Sequence, residues 1–283
     1  MTTSACELCH EDCYAVMGNP IAHSLSPRIH HLFARQTGQS LSYDALLVEA
    51  DGFAHAVAAF LIAGGKGLNV TVPFKQEAYE LADELSPRAQ RAGAVNTLLI
   101  HDDGTLLGDN TDGVGLVRDL TRNLKLTLSG KQILLLGAGG AARGVLAPLL
   151  EQKPARLLIA NRTPERAIQL ANSFSDLGAV KGCGFQALSG PGFDIVINAT
   201  AAGLQGQVPD LPGDVIDPHS CCYDMMYGSL PTAFMHYAQQ HGAQRTFDGL
   251  GMLVEQAAES FLIWRGLRPD TGPVIEALRQ LTA

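Results

Sequence analysis

The chain has 283 residues, 46% of them hydrophobic, with a mean hydropathy of +0.09; such a chain buries a substantial core and divides readily into two domains. Its formal charge of −8, from 20 Lys and Arg against 28 Asp and Glu, argues against a nucleic-acid or anionic-membrane partner and leaves room for a local basic pocket. Apolar runs such as Ala56 to Ala63 are too short to span a bilayer, and Met1 to Asp12 has neither the basic start nor the apolar centre of a signal peptide, so a cytoplasmic, reducing home with cysteines as thiols is expected.

The chain opens on Cys6-Glu-Leu-Cys9-His10-Glu-Asp-Cys13. The C-x-x-C-H pattern would need export to attach haem and a folded cradle to hold a metal, so residues 1–13 are read as a mobile Cys-rich tail with no metal. A strand is expected over Tyr14 to Met17, followed by the loop Gly18-Asn-Pro-Ile-Ala-His-Ser24-Leu-Ser26-Pro27. Ser26 before Pro27 reads as a hydroxyl cap and a first-turn proline, which leaves the Ser24 hydroxyl for a ligand rich in hydroxyls or bearing a carboxylate. Strand and helix then alternate through Tyr43 to Val48, Gly52 to Ile62, Gly67 to Val70 and Pro73 to Leu81. This order predicts a mostly parallel sheet with its ligand at the carboxyl ends of the strands. Asn69 and Thr71, two apart in extended chain, point the same way. Lys75 in the first turn of the next helix opposes the helix dipole, so a ligand or an acid is the better reason for it.

Gly93-Ala-Val-Asn96-Thr97 leads into a strand over Leu98 to His101 and a turn at Asp102 to Gly104. In Gly108-Asp-Asn-Thr-Asp112-Gly113, Asp109 and Thr111 read as turn and cap residues. Asp112 heads an apolar helix over Val114 to Leu124 at a domain junction, where clefts form. Ile133 to Leu136 has the apolar run of a buried parallel strand. It breaks into Gly137-Ala138-Gly139-Gly140-Ala141-Ala142 and a helix over Ala141 to Glu151, the G-x-G-x-x-A pattern of a dinucleotide site. Gly137 takes the turn, Gly139 admits a pyrophosphate, and the free N–H groups of the helix start hold it. A second strand, Arg156 to Ala160, ends in Asn161-Arg162-Thr163-Pro164-Glu165-Arg166. No carboxylate stands at that tip to bind a ribose hydroxyl. Arg162 and Arg166 suit a 2′-phosphate, with Thr163 also placed as a helix cap, so NADP is expected over NAD. Cys183, Cys221 and Cys222 sit in apolar segments and read as core. Leu250 to Trp264 reads as an amphipathic helix stopped at Gly266, with a last helix over Pro273 to Leu281. Gln256 on the first of these could reach the ligand.

Taken together these motifs resemble the shikimate dehydrogenase family from Tyr14 to near the C-terminus. The shared pieces include the Gly18 to Pro27 loop, Asn69-Val-Thr-Val-Pro-Phe-Lys75, Gly93 to Thr97, Gly108 to Gly113, the glycine turn, Asn161-Arg-Thr163, Asn198-Ala-Thr200, Tyr223-Asp-Met-Met-Tyr227 and Asp248 to Ala258. The resemblance implies an α/β protein of two domains with a cleft between them: a mixed or mostly parallel substrate domain (14–111 with 249–283) and a Rossmann-type NADP domain (112–248). It implies reversible NADPH-dependent reduction of 3-dehydroshikimate to shikimate, in aromatic amino acid and chorismate biosynthesis, by a monomer or homodimer. By position, Ser24, Ser26, Thr71 and Tyr227 would hold the substrate carboxylate; Asn69, Asn96 and Gln256 the ring hydroxyls; Lys75 and Asp112 the reacting centre. Gly137, Ala138, Gly139, Gly140, Ala141, Asn161, Arg162, Thr163, Arg166, Thr200, Gly249 and Met252 would line the cofactor. The chain departs from the family at Ala201-Ala202, where a serine is usual, and at Gly228 to Pro231, which replaces a basic loop.

The residues agree with that chemistry independently. A ketone that accepts hydride gains negative charge on oxygen, which an ammonium such as that of Lys75 stabilises and can protonate. Two other readings fit the same motifs: a sister enzyme that oxidises quinate or prefers NAD, and a dinucleotide-sensing regulator. The regulator would have no need of Lys75 and Asp112 together.

Overall fold

The computed structural model describes residues 11–189, 192–200, 202 and 207–282. Its first sheet takes β1 (Asp12–Gly18), β2 (Leu41–Leu47), β3 (Gly65–Val70), β4 (Glu84–Leu85), β5 (Thr97–Ile100) and β6 (Leu106–Asp109) in the order β2-β1-β3-β5-β6-β4. β1 runs parallel to β2 and β3, whereas β5 is antiparallel to both of its neighbours. The second sheet is parallel throughout and takes β7 (Gln132–Leu136), β8 (Arg156–Asn161), β9 (Val180–Gly184), β10 (Ile195–Asn198), β11 (Cys221–Asp224) and β12 (Arg245–Phe247) in the order β12-β11-β10-β7-β8-β9. Read from β9 this is the 3-2-1-4-5-6 order of a doubly wound sheet, whose switch point lies between β7 and β10.

The helices are α1 (Ser26–Thr37), α2 (Phe53–Ile62), α3 (Lys75–Leu81), α4 (Pro87–Ala92), α5 (Asp112–Arg118), α6 (Gly140–Glu151), α7 (Pro164–Asn172), α8 (Ala233–Gln240), α9 (Leu250–Arg265) and α10 (Gly272–Thr282). Strands that read as continuous apolar runs do so because both faces are covered. In β7, Ile133 and Leu135 enter one core cluster while Leu134 and Leu136 enter another. In β1, Tyr14 and Val16 face one cluster and Ala15 and Met17 the other. α9 belongs to both halves. Leu250, Val254, Ala258 and Phe261 pack on α1 and β1, whereas Met252 enters the core of the second sheet. α5 crosses α9 at close range, since a Cβ on Gly115 would lie 2.7 Å from the Gln256 Cβ and 2.8 Å from its backbone nitrogen.

Several expected boundaries shift. β1 begins at Asp12, so Cys13 is a strand residue and not part of a tail; Cys6, Cys9 and His10 lie outside the described residues. The helix expected from Pro73 begins at Lys75, because Thr71 to Phe74 close a turn in which the Phe74 N–H donates to the Thr71 carbonyl at 3.0 Å. Ser26 lies inside α1 instead of capping it, and its N–H donates to the Ser24 hydroxyl at 3.3 Å, so the side chain two residues earlier satisfies the helix start. Thr163 stands at the cap position of α7 without a side-chain bond. The helix expected over 114–124 runs from Asp112 to Arg118 and then widens into a π-helical turn, Asp119–Asn123. There the buried Asp119 accepts from the Tyr223 hydroxyl at 2.6 Å and from Asn123 at 2.9 Å. A carboxylate tied to both partners leaves little room for regular α-helix. β4, β6, β9, β10, β11, β12, α4 and α8 carried no expectation of their own. Among the described residues no helix is long and apolar enough to cross a membrane, and no group of His, Cys, Asp and Glu could hold a metal ion.

Candidate active site

Strand register builds the site. Asn69 of β3 pairs with Thr97 of β5, and Thr97 pairs with Asp109 of β6, so three polar residues cross the sheet in one row at its edge toward α9. Just beyond the strand ends stand Lys75, Asn96, Thr111 and Asp112. The Lys75 ammonium donates to Asp112 Oδ2 at 2.6 Å, and both side chains keep some exposure, 30% for the lysine and 12% for the aspartate. The other oxygen of Asp112 accepts from Asn96 Nδ2 at 2.8 Å, and its backbone N–H donates to Asn110 Oδ1 at 3.2 Å. The carboxylate is therefore held through both of its oxygens and the residue is anchored by its backbone N–H, while the ammonium retains free donors.

Asn96 is itself held in place. It donates to Thr111 Oγ1 at 2.9 Å and accepts from the Thr111 N–H at 2.9 Å. Gln256 approaches from α9, its side-chain Oε1 3.4 Å from Asn96 Nδ2 and 3.3 Å from Thr111 Oγ1. Thr111 and Asp109 are thus more than turn residues. Asp109 accepts a two-pronged contact from Arg88 at 2.6 and 2.7 Å, and Arg88 continues to Glu259 of α9 at 2.9 Å. Glu259 meets Arg268 at 2.5 Å, and Arg268 meets the buried Glu255 at 2.7 Å. This chain of ion pairs pins the Gln256 face of α9 to the end of β6.

Ser24, Thr71 and Tyr227 are half-buried and Ser26 is buried. A Cβ on Gly18 would meet the Thr71 side chain at 2.4 Å, so only glycine lets the serine loop lie against Thr71. Tyr227 packs against the cluster that also takes Leu25, and burial raises its phenol above the ordinary range, leaving a neutral O–H to donate. Leu230, in the loop that departs from the family pattern, is exposed.

Across the cleft, Gly137 has φ +104° and its added Cβ would meet the Ala199 carbonyl oxygen at 3.0 Å, a position for glycine. A Cβ at Gly139 or Gly140 would meet nothing within 4 Å, and no side chain caps the start of α6, so its first N–H groups point into open space. Ala138 is half-buried and Ala141 exposed beside them. Exposed Arg162, Thr163 and Arg166 stand at the tip of β8, where Asn161 Nδ2 donates to the Thr163 carbonyl at 3.0 Å. Among the described residues neither arginine side chain has an ion-pair partner. At the end of β10 the Thr200 hydroxyl donates to Asn198 Oδ1 at 2.7 Å, and Asn198 Nδ2 donates to the buried Asp224 at 3.0 Å; Ala201 lies outside the described residues. Gly249 fits under the Met225 carbonyl oxygen, which its added Cβ would meet at 2.3 Å, and Met252 is buried one turn on. This set fits an extended dinucleotide with a further phosphate: an open helix terminus for a pyrophosphate and two unpaired cations beside it. The two halves meet at Gly144 of α6, whose added Cβ would lie 3.6 Å from Asn110 and 3.7 Å from Asp112 Oδ2.

Reading the sequence did not single out Arg88, Tyr43 or Ser260, all of which support this arrangement. Ser260 alone left a signal, a hydroxyl one turn after Gln256 on the apolar stripe of a helix.

Models of the shikimate dehydrogenase substrate binding domain, of shikimate / quinate 5-dehydrogenase and of the shikimate 5′-dehydrogenase C-terminal domain match residues 16–98, 119–205 and 249–279. The shikimate dehydrogenase (NADP(+)) of Cellvibrio japonicus is 58% identical over 269 residues, 95% of this chain and 97% of that protein. The crystal structure of an Ael1 enzyme from Pseudomonas putida matches with a TM-score of 0.90 at 47% identity, covering 95% of this chain and 98% of that one. That of the shikimate 5-dehydrogenase from Thermus thermophilus in complex with NADP(H) and shikimate matches at 0.84 and 34% identity, covering 95% and 99%.

Proposed function

The chain belongs to the shikimate dehydrogenase family, and from that premise we propose how its own residues carry the reaction. It is an NADP-dependent oxidoreductase that interconverts 3-dehydroshikimate and shikimate in aromatic amino acid biosynthesis. When bound, NADPH supplies the hydride. Lys75 stabilises the negative charge that develops on the ketone oxygen and delivers a proton to it, while Asp112 holds the ammonium in place. In the oxidation direction the same pair takes up the hydroxyl proton. Ser24, Ser26, Thr71 and the neutral Tyr227 hydroxyl hold the carboxylate, and Asn69, Asn96 and Gln256 face the ring hydroxyls. The N–H groups at the start of α6 and the Arg162 and Arg166 guanidiniums hold the phosphates, with Thr200, Gly249 and Met252 on the nicotinamide side.

The observation that carries this reading is the 2.6 Å contact between Lys75 and Asp112, partly exposed where the two sheets' ends meet. The functional domains are then 12–111 with 249–283 for substrate and 112–248 for NADP, in a cytoplasmic monomer or homodimer. The test follows reduced nicotinamide by absorbance with shikimate or quinate, each paired with NADP or NAD. Shikimate with NADP should give the highest kcat/KM; quinate or NAD in the leading pair would overturn the assignment.

A further inference from the structure

Behind the residues assigned to the ring hydroxyls, one buried hydroxyl gathers contacts from its own helix and from three other segments. Ser260 lies on α9 one turn beyond Gln256 and is wholly buried. Its Oγ stands 3.0 Å from Asn69 Nδ2, 2.8 Å from Thr97 Oγ1, 3.4 Å from Thr111 Oγ1 and 3.1 Å from the Gln256 carbonyl oxygen. The last contact alone would be the ordinary back-bond of a helical serine. The other three reach β3, β5 and the residue that leads into α5, and no helix requires them.

A backbone acceptor beside Ser260 fixes which way Asn69 faces. The backbone carbonyl of Asn96, 3.2 Å from Asn69 Nδ2, can only accept, so the amide nitrogen must point to it. Its two hydrogens are shared among that carbonyl, Thr97 Oγ1 at 3.2 Å and Ser260 Oγ, of which Ser260 is nearest. On the other side Asn69 Oδ1 accepts from the Tyr43 hydroxyl at 2.7 Å. Asn69 therefore offers a substrate hydroxyl an acceptor and not a donor. Tyr43 is held in turn by the His30 ring, stacked at 4.1 Å with 5° between planes.

We propose that Ser260 is a positioning residue for substrate binding: it locks the Asn69 carboxamide and ties it through α9 to Gln256, so that the acceptors offered to the ring hydroxyls are set before substrate arrives. The proposal rests on the assignment of Asn69 and Gln256 to those hydroxyls. Groups already ordered lose little freedom on binding, so the benefit falls on substrate affinity more than on the chemical step.

The experiment is steady-state kinetics of the full chain with shikimate and NADP, with melting temperatures, for Ser260→Ala, Ser260→Thr, Asn69→Ala and Ser260→Ala with Asn69→Ala. Ser260→Ala should raise the KM for shikimate about threefold to tenfold, the worth of one net hydrogen bond, with kcat and the KM for NADP nearly unchanged and the melting temperature lowered by only a few degrees. Ser260→Thr, which keeps the hydroxyl, should restore most of that loss. On the Asn69→Ala background the serine change should add little. An unchanged shikimate KM in Ser260→Ala, beside a raised one in Asn69→Ala, would overturn the proposal and leave the site assignment standing. A fall in melting temperature and kcat without a KM change would mark Ser260 as structural only and also overturn it. If Asn69→Ala leaves the shikimate KM unchanged, the assignment fails and the proposal with it.

Discussion

Lys75 and Asp112 come from segments 37 residues apart and meet at 2.6 Å with the pair only partly in solvent. The benefit of the ammonium grows as charge builds on the substrate oxygen, so its loss should weaken the transition state more than the ground state. Lys75→Ala is expected to cut kcat by about 10² or more while moving the shikimate KM far less. Adding Asp112→Asn should cost much less than the two single losses combined. Full additivity would show two residues that bind substrate separately. His30 makes a different prediction. Its ring is wholly buried between Tyr43 and the aromatic rings of Phe33, Phe261 and Trp264, and burial, opposed in part by the Asn69 side chain, pushes its pKa from the ordinary 6.5 down to about 3. The unfolded chain takes up that proton below pH 6.5 and the folded chain does not, so stability is lost as pH falls from 6.5 toward 3, about 2 kcal/mol of it by pH 5. His30→Phe keeps a ring in the stack and should flatten the fall in melting temperature between pH 7 and pH 5. An equal slope in both proteins would place the acid sensitivity elsewhere.

At the scale of elements, the crossing of α5 and α9 decides whether the two halves of the site are in register. α5 carries Asp112 at its first residue and α9 carries Gln256 and Ser260, and Gly115 sits where they touch, 2.7 to 3.0 Å from side-chain and backbone atoms of Gln256 once a Cβ is added. Backbone cannot yield as a flexible side chain does, so Gly115→Ala must push the helices apart. The expected loss is about 1–3 kcal/mol of stability, the ordinary penalty of overpacking. A raised shikimate KM should accompany it, because Gln256 moves with its backbone. Wild-type melting and kinetics in this variant would show that the crossing has slack. The π-helical turn that follows α5 is part of the same arrangement, since it brings Asp119 under the Tyr223 hydroxyl of β11 while Gly251 of α9 leaves room for the carboxylate.

For the molecule as a whole, the question is whether two cores behave as one. α9 gives Met252 to the core of the second sheet and Leu250, Val254 and Phe261 to that of the first, and Arg91 of α4 reaches Asp176 beyond α7 at 2.7 Å while lying 4.8 Å over the Phe174 ring. Melting should then be one transition. NADP at a hundredfold its Kd adds about 2.7 kcal/mol to the state that binds it and should move that transition upward as a unit. Arg162→Asp, which removes a phosphate clamp and adds repulsion, should abolish most of the NADP shift and leave that from NAD nearly intact. Two transitions with only one moved by NADP would show that the cores unfold separately. An undiminished shift in Arg162→Asp would leave Arg166 as the clamp.

Much of this was decided locally. The glycine turn between β7 and α6, the arginines at the tip of β8 and the polar loop ends after β1 and β3 are legible in the chain because each is a short-range requirement: a positive φ at Gly137, an uncapped helix start, a cation where an acid would otherwise stand. Apolar runs likewise announced strands covered on both faces, since a period of two buries both sides of a sheet only when every residue is apolar. Tertiary structure alone decided which residues share a side chain's surroundings. Arg88 and Asp109 are 21 residues apart, Tyr43 and Asn69 are 26, and Ser260 stands 191 from Asn69. A buried hydroxyl or carboxylate is indistinguishable in sequence from one on a solvated face until the register of β3, β5 and β6 and the crossing of α9 bring its partners to it. The reach of Asp109, Tyr43 and Ser260 was therefore fixed by packing over distances that no local pattern encodes.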